Sequence, residues 1–166
     1  MSGLCSWRGH AWVALPVRLY LGWLFLSACV HKIADPARFA LDVATYQLLP
    51  LELVNLTALV LPWVELLAGA MIIIGLRARA AALLIAGMMG LFIVALAWAL
   101  SLGLDMSCGC FASATGEEHP ISGLTLLRDA GWLALACYVL VFDRSPLGLD
   151  RWLDRRRQRR GARAVS

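Results

Sequence analysis

Residues 80–104 read AAALLIAGMMGLFIVALAWALSLGL, and no charge falls between Arg79 and Asp105. A helix needs about 20 apolar residues to cross a bilayer, and this run supplies them without interruption. The rest of the chain points the same way. Of its 166 residues, 61% are hydrophobic and 16% charged, with mean hydropathy +0.74, more apolar side chain than a soluble domain of this size can bury. Working outward from the opening run gives four spans, at about 13–33, 53–76, 80–102 and 121–142. The expected fold is an all-α membrane protein, a four-transmembrane-helix bundle over residues 13–142 with short connections. Residues 1–12 form a cytoplasmic N-terminus and 143–166 an Arg-rich cytoplasmic tail.

The arginines set the orientation. Residues 144–166 carry eight arginines against two aspartates, a net +6, whereas the whole chain is +4, so the remainder is about −2. Basic residues beside span ends favour the cytoplasmic side. Counting back from an internal tail places Arg77 and Arg79 inside, and Arg8 with the N-terminus inside as well. The connections 34–52 and 103–120 then face outward, in the manner of a multi-pass protein of the bacterial inner membrane. The tail reads as a topology anchor, with no nucleic-acid partner. Leu26-Ser27-Ala28-Cys29 also fits a lipoprotein signal, but the leader would be long and its apolar core short.

Between the first two spans, Asp35 is placed to cap a short helix beginning at Pro36, with Phe39, Val43 and Tyr46 on one face. This helix is expected to lie at the outer membrane interface. In the third span, Ala82, Ala86 and Gly90 form a stripe of small residues for close helix approach.

Charges inside the spans cost about 2.5–3.5 kcal/mol each if unmatched. Lys32 (the sole lysine), Glu65, Arg128 and Asp129 fall in the outer half, where two cations and two anions can neutralise each other. Glu65 follows Pro62 by three residues, so a bent helix is expected there. Its structural role would be to pair with Arg128, and its functional role to handle protons or substrate. Arg18 is expected to snorkel to the cytoplasmic surface.

The segment 105–120, DMSCGCFASATGEEHP, contains two of five cysteines, one residue apart. On the outer side these thiols meet an oxidising compartment, whereas Cys5 is internal and Cys137 is expected to be a packing residue. A disulfide across one residue closes a small, awkward ring that is comparatively reducible, and Gly109 permits the turn. Redox exchange is favoured over an incidental pair. A metal clip of Cys108, Cys110 and His119, with His31 as a fourth ligand, matches no regular zinc spacing. Cys29, near the outer end of span one, is a candidate third thiol.

Four motifs in order, HKIADPARF (31–39), LPWVELLAGA (61–70), SCGCF (107–111) and LLRDAG (126–131), resemble the methylamine-utilisation MauE branch of the DoxX-like membrane proteins, over about residues 15–142. The resemblance implies a four-helix protein tied to periplasmic disulfide chemistry. It also implies a role in maturing the disulfide-rich small subunit of methylamine dehydrogenase, alongside a thioredoxin-like partner. Carried over residue by residue, it falls on Lys32, Asp35, Glu65, Cys108, Cys110, Arg128 and Asp129. Where family members often have a glycine two or three residues before the lysine, this chain has Cys29.

Together these readings suggest a thiol-disulfide relay in which Cys108 or Cys110 exchanges with a partner's disulfide and the other thiol resolves the intermediate. A quinone in the bundle is the candidate cofactor, with Glu65 handling protons and Arg128 or Lys32 favouring developing negative charge. Trp63, Trp98 and Trp132 read as packing residues or interfacial anchors. A non-catalytic membrane subunit or assembly scaffold, and a small-solute transporter built on the charged cluster, are the competing functions.

Overall fold

The computed structural model describes residues 10–103 and 123–143. Within them the chain forms five helices: α1 (His10–Ala34), α2 (Pro36–Thr45), α3 (Leu51–Ile74), α4 (Ala78–Ser101) and α5 (Gly123–Phe142). Four of these, α1, α3, α4 and α5, are long and apolar enough to cross a membrane. The expected all-α four-span architecture is therefore the one found. Only 17–39% of the most apolar window of each span is buried inside the bundle. Trp23, Leu51, Leu91 and Leu124 are more than two-thirds exposed on its outer surface, the reverse of a water-soluble helix bundle. Such a surface needs lipid, and the chain is an integral membrane protein.

Local chemistry sets the helix ends. At the start of α2, the Asp35 carboxylate accepts from Arg38 N–H at 3.0 Å, and Pro36 occupies the first turn, where its missing N–H costs nothing. Helix α3 stops at Gly75, whose φ of 74° turns the chain into the left-handed region. The N–H groups of Gly75 and Leu76 fold back to the Met71 carbonyl, and α4 begins three residues later, antiparallel to α3. This turn ends α3 two residues before the expected boundary at 76. Neither Pro16 nor Pro62 interrupts its helix.

Helix α1 packs chiefly against α3, and α4 against α5. Leu21, Phe25, Ile72, Ile85, Met89 and Val139 meet in the core between the pairs. Helices α1 and α3 come close together at Gly22 and Gly69. A methyl group on Gly69 would stand 3.2 Å from the Gly22 carbonyl, and one on Gly22 would run into the Ile73 side chain and come within 3.0 Å of the Gly69 carbonyl. The stripe in α4 plays no such part as a whole: Ala82 is fully buried and Ala86 partly so, but a methyl on Gly90 would meet nothing within 4 Å.

Arg18 does not snorkel. It is 2% exposed, and its Nε and Nη2 both donate to the Ile72 carbonyl at 3.0 Å while Nη1 lies 3.3 Å from Asp143 Oδ2. The last carbonyls of a helix lack intrahelical donors and carry the negative end of its dipole. The guanidinium fork satisfies one of them and joins α1, α3 and the end of α5.

Candidate functional site

The opposite half of the bundle holds the other buried charges. Lys32 and Glu65 are 6% and 7% exposed, and Lys32 Nζ donates to Glu65 Oε1 at 2.8 Å and Oε2 at 3.0 Å. The pairing expected from sequence, Glu65 with Arg128, is replaced by this one. Helix geometry explains the exchange. From the Gly22 and Gly69 crossing, Lys32 lies ten residues along α1 and Glu65 four residues back along α3, or about 15 and about 6 Å at 1.5 Å per residue. Side chains tilt toward the N-terminus of their own helix. In an antiparallel pair, Lys32 therefore reaches inward as Glu65 reaches outward, and the gap closes. The Lys32 ammonium also sits 4.9 Å from the centre of the Phe39 ring of α2, a cation–π contact.

Arg128 instead turns to its chain neighbour, with Nε 3.2 Å from Asp129 Oδ1, and its guanidinium lies 4.7 Å from the centre of the Trp132 ring. Asp129 is 1% exposed, whereas the Arg128 side chain is 45% exposed. The second carboxylate oxygen, Asp129 Oδ2, finds no hydrogen-bond partner among the described residues. Trp132 donates from Nε1 to the Tyr20 hydroxyl at 3.1 Å, which links α5 to α1.

These groups border one cavity of about 390 Å³, to which Lys32, Glu65, Asp129 and Trp132 contribute. Apart from Asp42 and Thr57, its remaining wall is apolar. Helix α2 closes it: Phe39, Val43 and Tyr46, the face expected from the sequence, all line it, and Tyr46 packs edge-on against Phe92 of α4 at 6.3 Å between ring centres. The cavity lies toward the C-terminal ends of α1 and α4 and the N-terminal ends of α3 and α5. Chemically, the site combines a neutralised ion pair, one buried carboxylate oxygen without a partner among the described residues and an aromatic wall.

The remaining sequence-derived candidates fall as follows. Cys29 is fully buried in α1, with its Sγ donating to the Leu26 carbonyl at 3.2 Å. Cys137, expected to pack, is instead exposed on the outer face of α5. His31 Nε2 is buried with no hydrogen-bond partner among the described residues. Cys108, Cys110 and His119 lie outside the described residues. Among those described, no cluster of three or more His, Cys, Asp or Glu side chains could hold a metal ion. Trp63 and Trp98 are at least half exposed on the outer surface, but Trp132 faces the cavity, a role that the sequence reading missed. Its spacing, one turn beyond Arg128, was the available signal.

The family model for "Methylamine utilisation protein MauE" matches residues 10–142. The methylamine utilization protein MauE of Paracoccus denitrificans is 32% identical over 121 residues, covering 72% of this chain and 64% of that protein. That of Methylorubrum extorquens is 36% identical over 127 residues, covering 76% and 67%. The matched part of the chain thus spans about two thirds of the length of these relatives. No solved structure matches. The family match takes in all five helices and every cavity residue named above, and the chain belongs to the MauE family of methylamine utilisation proteins.

Proposed function

We propose that this protein serves methylamine utilisation by supporting thiol-disulfide chemistry on the outer side of the bacterial inner membrane. In this reading the Cys108-Gly109-Cys110 pair forms or matures disulfides in a partner such as the small subunit of methylamine dehydrogenase, with a thioredoxin-like protein alongside. In the oxidising direction, a thiolate of the partner attacks one sulfur of the Cys108–Cys110 disulfide, giving a mixed disulfide and one free thiolate on the pair. A second thiolate of the partner then displaces the bound cysteine. The partner leaves with a disulfide, and Cys108 and Cys110 keep two electrons and two protons as thiols.

The observation that most supports this reading lies in the connectivity. The SCGC segment joins α4 to α5, and the chain leaves α4 and re-enters α5 at the end of the bundle that holds the charged cavity. Ionisable side chains inside the membrane, at the end of the bundle that the thiol-bearing connection joins, suit chemistry that moves electrons and protons together. Lys32, Glu65, Arg128 and Asp129 are its supporting cluster, and Cys29, one turn before Lys32, is a candidate third thiol.

The test is the free-thiol content of the methylamine dehydrogenase small subunit produced together with this chain. Wild type should lower that content, and Cys108→Ser/Cys110→Ser should leave the subunit as reduced as it is without the chain. If the double variant oxidises the subunit as wild type does, the protein is a scaffold and its thiols are idle.

A further inference from the structure

The cavity of about 390 Å³ opens in part onto the bundle surface and has the size of a small-molecule site, about 300 to about 1,000 Å³. Its wall says what would fit. Phe25, Phe39, Tyr46, Phe92 and Trp132 offer aromatic faces. Leu91 lines the cavity and is also 75% exposed on α4, so the wall continues onto the surface that meets lipid.

The polar groups narrow the choice further. Glu65 is matched at both oxygens by Lys32, and Asp42 also has a partner, whereas the buried Oδ2 of Asp129, 1% exposed, has none among the described residues. Leaving a dry acceptor unmatched is unfavourable, so a fitting occupant brings an O–H or N–H. A lipid acyl chain would match the walls but leave Asp129 bare. A small water-soluble amine would match Asp129 but leave the aromatic wall without contacts.

We propose that this cavity binds a membrane-soluble molecule with a hydroxylated aromatic ring and an apolar tail, the chemistry of a quinol, with its ring hydroxyl donating to Asp129 Oδ2. The ring stacks among the aromatic side chains and the tail leaves past Leu91. The molecule's oxidised form, the quinone, would take two electrons and two protons from the Cys108 and Cys110 thiols, restoring their disulfide and becoming the quinol bound here. The proposal rests on the thiol-disulfide reading for that use alone, because the site is argued from the cavity.

The full chain in lipid nanodiscs is titrated anaerobically with a decyl-tailed ubiquinol and with its dimethyl ether, which keeps ring and tail but cannot donate. The titration is repeated in Cys108→Ser/Cys110→Ser, so that binding is read apart from thiol chemistry. The quinol should bind saturably to both chains, and the ether at least ten-fold more weakly. Asp129→Leu should weaken the quinol at least ten-fold without changing the ether. Val43→Trp, which fills the cavity from α2, should abolish binding of both ligands. Absence of saturable binding, equal affinity for quinol and ether, or wild-type binding by both Asp129→Leu and Val43→Trp would overturn the proposal and leave the thiol-disulfide reading standing.

Discussion

Lys32 Nζ lies 2.8 Å from Glu65 Oε1, with the two side chains 7% and 10% exposed, and this pair joins α1 to α3 at the edge of the cavity. A buried ion pair gains little over a well-packed apolar pair, but removing one partner strands a charge. Lys32→Met or Glu65→Leu alone should destabilise the bundle by about 3–5 kcal/mol. The double replacement should recover most of that loss. Unfolding in mixed micelles of increasing denaturing detergent measures all three. Additive losses in the double variant would show that the two side chains act independently.

The same reasoning applies at the other end of the bundle. Asp143→Ala leaves the Arg18 guanidinium on the Ile72 carbonyl without its carboxylate, and should cost about 3–5 kcal/mol in the same assay. Arg18→Lys should not rescue the contact, because one ammonium cannot present the planar fork that meets both the carbonyl and the carboxylate.

Two glycines separate close packing from open space. Gly22→Ala must push the Ile73 side chain aside and brings a methyl within 3.0 Å of a backbone carbonyl, which should cost about 1–3 kcal/mol. Gly90→Ala meets nothing within 4 Å and should be neutral or stabilising, by up to about 1 kcal/mol from helix propensity. Equal effects at the two sites would contradict the α1 and α3 crossing.

The proposed orientation has its own check. In intact cells, a membrane-impermeant maleimide applied after mild reduction should label a chain retaining only Cys108, and should label one retaining only Cys5 after lysis alone. The reverse pattern would invert the topology and remove the thiol pair from the oxidising side.

The spans were legible because uninterrupted apolar length is a local property, and so was α2, whose Asp35 cap, Pro36 and apolar face lie within a dozen residues. Which helices meet was not legible. Periodicity places Glu65 and Arg128 at similar depth, but it carries no record of which neighbour each helix faces. The tilt of side chains toward the helix N-terminus was the clue that Lys32 could reach Glu65. Arg18 misled for a related reason: a cation near a span end ordinarily finds water, and only the folded bundle brings it the Ile72 carbonyl and Asp143. The Gly22 and Gly69 contact joins two glycines that are unremarkable within their own helices. The cavity belongs to five helices at once, so no single stretch of sequence could announce it.

Capture of a mixed disulfide tests the central claim most directly. Membranes bearing wild type, Cys108→Ser, Cys110→Ser or the double serine variant are acid-quenched, alkylated and separated without reductant. The thiol-disulfide account predicts that one single variant accumulates a reductant-sensitive adduct with an extracytoplasmic protein, because its remaining cysteine, joined to the partner by exchange, has lost the neighbouring thiol that would return it to the Cys108–Cys110 disulfide. The double variant should show none. The absence of any adduct from both single variants, at wild-type levels of the chain, would contradict it.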